Sequence, residues 1–120
     1  MPGSDPRRQL PLTPAVLYIL LVLADGERHG YAIARTVEEI SSGDVRMGPG
    51  TLYGCIQRML RASLIEESPS RRRAADDDER RRYYRITAFG RRVLDLELQR
   101  LGRLLGAAQG KRLARGPGVA

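Results

Sequence analysis

Between positions 47 and 65 the apolar residues follow a helical period with two different faces. Leu52, Ile56 and Met59 recur four and three residues apart, which is the spacing of one face of a helix. Pro49 suits the first helical position, where its missing N–H is not needed. The opposite side carries small, polar and basic residues: Thr51, Tyr53, Gly54, Gln57, Arg58 and Arg61. The pattern predicts a helix that is buried on one side and free on the other.

Residues 14–24 form an earlier stretch that is apolar on nearly every side. Thr13 and Pro14 are suited to the N-cap and first turn of a helix here. A helix without a polar face is buried on several sides. In a chain this short we expect it to lie between the rest of the fold and a second subunit, with Leu17 and Leu20 in the contact.

A second helix is predicted from His29 to about Ser41, with Ile33, Val37 and Ile40 on one face. We expect His29 to be a loop residue that forms a local hydrogen bond, the alternatives being a pH sensor or a phosphate contact. A short linker then leads to the helix of residues 51–62, whose polar face is basic. This order of helices is typical of a helix-turn-helix.

Two short strands follow, predicted at residues 63–67 and 83–86, where Tyr and Ile favour extended structure. They would form a β-hairpin, or wing, joined by residues 68–82. Positions 71–82 hold six arginines and four acids. Arginines of such a wing reach a minor groove or phosphates, and Arg80, Arg81 and Arg82 are the candidates. The alternative is a solvated charge run.

A long helix is predicted from about residue 88 to 108, with Thr87 as its N-cap. Its leucines alternate four and three apart in a heptad-like seam: Leu94, Leu98, Leu101 and Leu105. We expect the seam to pack on a second copy of the chain, the alternative being its own domain. Residues 1–10 and 110–120 lack periodicity and are predicted to be disordered tails.

Composition limits the functions to consider. The chain has 120 residues, the size of one domain, and 21 Lys and Arg against 14 Asp and Glu give a net charge of +7. The excess favours an anionic partner, most simply nucleic acid, unless it only increases solubility. One Cys and one His leave no catalytic or metal-binding constellation, so we expect neither an enzyme nor a cofactor. The apolar run 15–24 is too short to span a bilayer, and we expect a cytoplasmic protein.

Four segments together resemble the PadR family of bacterial transcriptional regulators, in the small variant with one C-terminal helix. They are LTPAVLYILLVL, HGYAIA, GPGTLYGCIQRM and RRYYRITAFGRRVL, in this order along the chain. The resemblance implies a winged helix-turn-helix, a dimer formed through the last helix and repression at a palindromic promoter site. It also implies DNA contacts by Thr51 and Tyr53, by Arg81 and Arg82 in the wing, and a small-molecule effector whose pocket Tyr18 could line.

Three positions depart from the pattern of that family. Gly54 stands where proline is usual, and Leu60 and Ser63 stand where an acid and a glycine are usual.

The sequence therefore predicts a mainly α fold with a small β-hairpin, a winged helix-turn-helix over residues 11–87 and a dimerisation helix over 88–109. The predicted function is a homodimeric, sequence-specific regulator that binds double-stranded DNA, with Thr51, Tyr53, Gln57, Arg58 and Arg61 at the major groove. The alternative is a winged-helix module that binds an acidic protein.

Overall fold

The computed structural model describes residues 5–69 and 82–111. Four α-helices and three short strands make up these two segments, after an initial 3-10 helix at Pro6–Gln9. The elements in chain order are α1 (Pro14–Ala24), β1 (Arg28–His29), α2 (Gly30–Ile40), α3 (Pro49–Arg61), β2 (Ile65–Ser68), β3 (Tyr83–Ile86) and α4 (Ala88–Gly110). The predicted mainly helical winged fold is confirmed.

The sheet has the strand order β1-β3-β2, and both pairings are antiparallel. The β2–β3 pair is the predicted hairpin, with Ile65 opposite Ile86 and Ser68 opposite Tyr83. β2 begins two residues later than predicted, because Ser63 has a φ of 64° and belongs to the turn after α3. β1 was not predicted; it is two residues long and exists through its pairing with β3.

One apolar core joins α1, α2, α3, the β2–β3 hairpin and the first half of α4. The predicted apolar face of α3 is confirmed, since Leu52, Ile56 and Met59 are all buried. Ile33 and Val37 of α2 are also buried, but Ile40 at the end of that helix is exposed. The α3 helix therefore packs on the core through its apolar face, and its opposite face is exposed to solvent.

Three of the four α-helices in the described residues begin at a side-chain cap. The Thr13 hydroxyl accepts a hydrogen bond from the Val16 amide at 3.3 Å. His29 Nδ1 accepts one from the Ala32 amide at 3.2 Å, as expected of a local role. Thr87 Oγ1 accepts one from the Gly90 amide at 2.9 Å. Each cap satisfies an amide that would otherwise be unpaired at a helix start.

The N-terminal segment corrects the prediction of a disordered tail over residues 1–10. Pro6–Gln9 form the 3-10 helix, which packs on α4, and Pro6 is buried. Glu97 of α4 accepts a hydrogen bond from the Leu12 amide at 2.9 Å. This contact joins residues 85 positions apart, which local sequence patterns cannot reveal. Residues 1–4, and 112–120 of the predicted C-terminal tail, lie outside the described residues.

Within the two described segments, no helix has the length and apolar character needed to cross a membrane.

Candidate nucleic-acid interface

The two ends of the α3 helix are capped in different ways. Its N-cap residue is Gly48, which forms no side-chain hydrogen bond, and its first helical residue is Pro49. At its other end Ser63 adopts the left-handed conformation, and the Ser63 and Leu64 amides donate to the carbonyls of Leu60 and Met59, both at 3.0 Å. These bonds form a Schellman motif, which usually has glycine in the left-handed position. They end the helix sharply and turn the chain into the wing.

The structure places all five predicted groove-facing residues of α3 on its exposed side: Thr51, Tyr53, Gln57, Arg58 and Arg61. The buried side of the same helix consists of Leu52, Cys55, Ile56 and Met59. Within residues 5–69 and 82–111, neither Arg58 nor Arg61 forms an ion pair. Both side chains are exposed, so an anionic partner can reach their guanidinium groups.

Tyr53 joins α3 to the start of α2. Its ring lies so close to Gly30 that a methyl group at Gly30 would come within 2.8 Å of Tyr53 Cζ. Its exposed fraction is nevertheless 46%. Glycine at position 30 thus allows Tyr53 to rest on α2 while it remains accessible beside the exposed face of α3.

Cys55 has a structural role. Burial raises the pKa of its thiol, and the neighbouring Arg58 guanidinium opposes this shift to a lesser extent. The thiol therefore stays protonated at neutral pH and packs as a small apolar group. Among the described residues, no group of three His, Cys, Asp or Glu side chains could hold a metal ion.

The base of the wing is held by its own ion pairs. Arg82 contacts Glu67 at 3.0 Å and Arg85 contacts Glu66 at 2.8 Å, in both cases across the β2–β3 pair. Both pairs are exposed and contribute little to stability. Arg82 remains a candidate for DNA contact, but its ion pair with Glu67 would then have to be replaced by an ion pair with a phosphate. Arg80 and Arg81 lie outside the described residues.

Tyr84 attaches the wing to the body. It is buried, and burial is the main cause that raises the pKa of its phenol. The side chain of Tyr84 is therefore part of the core and not of the exposed surface of the wing.

Two of the predicted dimer-contact residues belong to the core of the protomer itself. Leu20 and Leu94 are buried in the apolar core, so they offer no surface to a partner. Leu17 and Leu101 are half-buried, whereas Leu98 and Leu105 are 43% and 54% exposed. The free apolar surface is therefore the second half of α4, which also exposes Leu104.

Tyr18 does not line any of the three surface cavities formed by the residues that the structure describes. Tyr18 is half-buried and packs against the core. Three surface cavities in the described part of the chain are lined by α2, by the turn that follows it, and by the N-terminal segment with α3, without Tyr18.

Sequence reasoning missed the exposed cluster at the start of α2. Tyr31 is 65% exposed, its ring lies parallel to that of His29 at 6.4 Å, and the Arg35 guanidinium lies 5.8 Å from its centre. The four-residue spacing of Tyr31 and Arg35 on an amphipathic helix was the available signal.

The sequence model of the transcriptional regulator PadR-like family matches residues 19–96. The chain belongs to this family. It is similar in structure to a PadR family transcription regulator from Clostridium difficile R20291, with a TM-score of 0.69 and 25% identity over 85% of this chain and 100% of that one. It is also similar to RosR of H. salinarum, with a TM-score of 0.60 and 25% identity over 89% and 99% of the two chains.

A relative in sequence is an uncharacterized 37.1 kDa protein in transposon TN4556 of Streptomyces fradiae, 36% identical over 92 residues. These residues are 77% of this chain but 24% of the relative, so the chain spans about a quarter of the length of that protein. The PadR-like family is a family of transcriptional regulators, not of enzymes. The chain accordingly carries the winged-helix DNA-binding fold of a transcriptional regulator.

Proposed function

We propose that the protein is a homodimer that binds an inverted repeat in promoter DNA and represses transcription. The observation that carries this proposal is the polar face of α3, where Gln57, Arg58 and Arg61 are exposed to solvent opposite a buried apolar side.

The chemistry of this face suits the major groove. Arginine donates two parallel hydrogen bonds to guanine, and glutamine makes the matching pair with adenine. Hydroxyl groups such as those of Thr51 and Tyr53 serve phosphates, which fix the position of a helix without reading sequence. The 13 residues of α3 extend about 20 Å, long enough to follow a groove through several base pairs.

The exposed half of α4 supports the dimer. Leu98, Leu104 and Leu105 are large apolar side chains that the protomer leaves open to solvent. Packing this surface on a second copy would bury it and present two α3 helices related by two-fold symmetry. Such a dimer would read half-sites about 34 Å apart, one helical turn of DNA.

Selection of genomic DNA fragments with the purified protein tests the proposal. An enriched inverted repeat supports it, while binding without any sequence motif would favour the protein-interaction alternative. On the selected site, neutralisation of about six phosphates predicts a slope of log affinity against log salt near −5.

Arg58→Ala tests the role of α3, with Arg103→Ala as the matched control on the exposed part of α4. We expect Arg58→Ala to weaken operator binding about tenfold or more while leaving the dimer intact. Arg103→Ala should bind like the unmodified protein. Unchanged binding by Arg58→Ala would remove Arg58 from the interface.

Repression and effector release are tested in a reporter strain. Loss of the gene should raise expression from the selected promoter if the protein represses. A ligand that releases the protein from DNA and loses its effect in Tyr18→Ala would support a pocket at Tyr18.

A further inference from the structure

The exposed side of α2 carries an aromatic and basic cluster that the proposed function does not use. Tyr31, Arg35 and His29 line one end of a surface cavity of about 450 Å³. His29 and Tyr31 lie nearly parallel, with an angle of 5° between the ring planes, and Tyr83 of the wing meets His29 edge-on at 5.5 Å. The cluster thus lies where α2 adjoins the base of the wing.

We propose that Tyr31 and Arg35 bind a phosphate of the DNA backbone outside the base pairs read by α3. This inference rests on the proposed DNA binding and extends the same interface. In a helix-turn-helix the first helix crosses the backbone while the second lies in the groove. Here α2 is the first helix and α3 the second.

The position of the cluster supports this assignment. Tyr53, on the exposed side of α3, rests on Gly30, which immediately precedes Tyr31. The surface of α3 therefore continues onto the start of α2 without an intervening element. A duplex seated on α3 would have one of its strands beside Tyr31.

The charges on α2 indicate where this contact ends. Arg35 forms no ion pair within the described segments, and its position over the Tyr31 ring holds the guanidinium in a limited range. Further along, Arg46 pairs with Glu38 at 3.5 Å, and Glu39 also lines the cavity. Arg35 is the one basic residue within α2, which fits a single phosphate rather than a long track.

The exposure of Tyr31 has no evident structural purpose, because a ring that is 65% exposed adds little to the core. Its hydroxyl can donate a hydrogen bond to a phosphate oxygen, and Arg35 can supply the opposite charge. Together they offer one anion both a neutral and a charged donor.

Affinity measured over a range of salt concentrations tests the proposal, on the selected operator and on an unrelated duplex. Arg35→Ala should weaken binding to both about tenfold and make the salt slope shallower by about 0.9, since a phosphate contact carries no sequence information. Tyr31→Phe should cause a smaller loss on both duplexes. Glu39→Gln should strengthen binding by removing a repulsive charge, and Arg103→Ala is the control.

Single methylphosphonate substitutions locate the contact. In the unmodified protein one phosphate flanking each half-site should lower affinity when neutralised, and Arg35→Ala should be insensitive to that change. If Arg35→Ala keeps the original affinity and slope while Arg58→Ala loses binding, the role of α2 is refuted and the proposed function stands. If the unmodified protein binds no duplex, the proposed function itself fails.

Discussion

Gly90, in the first turn of α4, lies against the backbone of Leu64, which connects α3 to β2. A methyl group at this position would stand 2.1 Å from the carbonyl oxygen of Leu64 and 3.0 Å from Cγ1 of Ile86. The first distance is more than 1 Å too short for a carbon and an oxygen that are not bonded. Gly90→Ala therefore requires α4 to move away from Leu64.

That movement would break the hydrogen bonds that connect the start of α4 to the residues just before β2. The Leu64 carbonyl accepts a hydrogen bond from the Thr87 amide at 3.1 Å, and the Thr87 hydroxyl donates to the neighbouring Ser63 carbonyl at 2.7 Å. Loss of the two bonds removes about 2 kcal/mol, and crowding in a packed site removes a further 1–3 kcal/mol or so. We expect Gly90→Ala to lower the free energy of unfolding by about 3–5 kcal/mol, and the melting temperature by roughly 12–20 °C.

Gly54→Ala provides the matched control, because Gly54 is also within a helix. A methyl group there would meet only the Arg58 guanidinium, at an ordinary 3.7 Å. Alanine should stabilise α3 by about 1 kcal/mol through helix propensity. Thermal and urea unfolding followed by circular dichroism measure both variants at equal protein concentration. If Gly90→Ala melts at or above the unmodified protein, the argument from close approach is refuted.

Three further predictions concern other elements. Ser63→Gly should raise the urea midpoint by an amount equivalent to about 0.5–1 kcal/mol, since the left-handed conformation costs serine more than glycine; an unchanged or lower midpoint contradicts this. The pKa of Glu97 is lowered mainly by the hydrogen bond from Arg100, with burial opposing and the Leu12 amide assisting. Because the pKa of Glu97 is lower in the folded state, the ionised carboxylate stabilises the fold at pH values above its unfolded-state pKa, about 4.3. This contribution is lost as the pH falls through the folded-state pKa. Between pH 7 and pH 3 the Glu97→Gln variant should therefore lose less stability than the unmodified protein, and parallel losses would exclude the effect. Leu105→Glu should give a monomer in light scattering while the unmodified protein is a dimer, and a monomeric unmodified protein would refute the proposed interface.

Features specified by local sequence were predictable. The period of Leu52, Ile56 and Met59 identified the buried face of α3, and Thr13 and Thr87 identified two helix starts. In each case the physical cause, a helical repeat or a capping hydroxyl, acts within four residues. The exposed residues of α3 followed directly from the buried ones.

Features that depend on contacts between distant residues were not predictable. The leucine seam of α4 showed that one side is apolar but not what covers it, and the structure assigns Leu94 to the core and Leu98 to the surface. Glu97 is a charged residue, yet its side chain is only 1% exposed. Its burial is compensated by Arg100 and by the Leu12 amide, which sequence alone does not place beside it.

The boundary at Glu97 divides α4 into two parts with different requirements. Up to Glu97 the helix is fixed to the body through Thr87, Gly90 and the N-terminal segment. The remaining 13 residues of this helix extend about 20 Å with their leucines largely uncovered. A helical segment of that length is only marginally stable in water by itself. Covering its leucines with a second copy of the chain would stabilise this segment. Because the first part of α4 is attached to the body of the protomer, the same contact would also fix the distance between the two α3 helices.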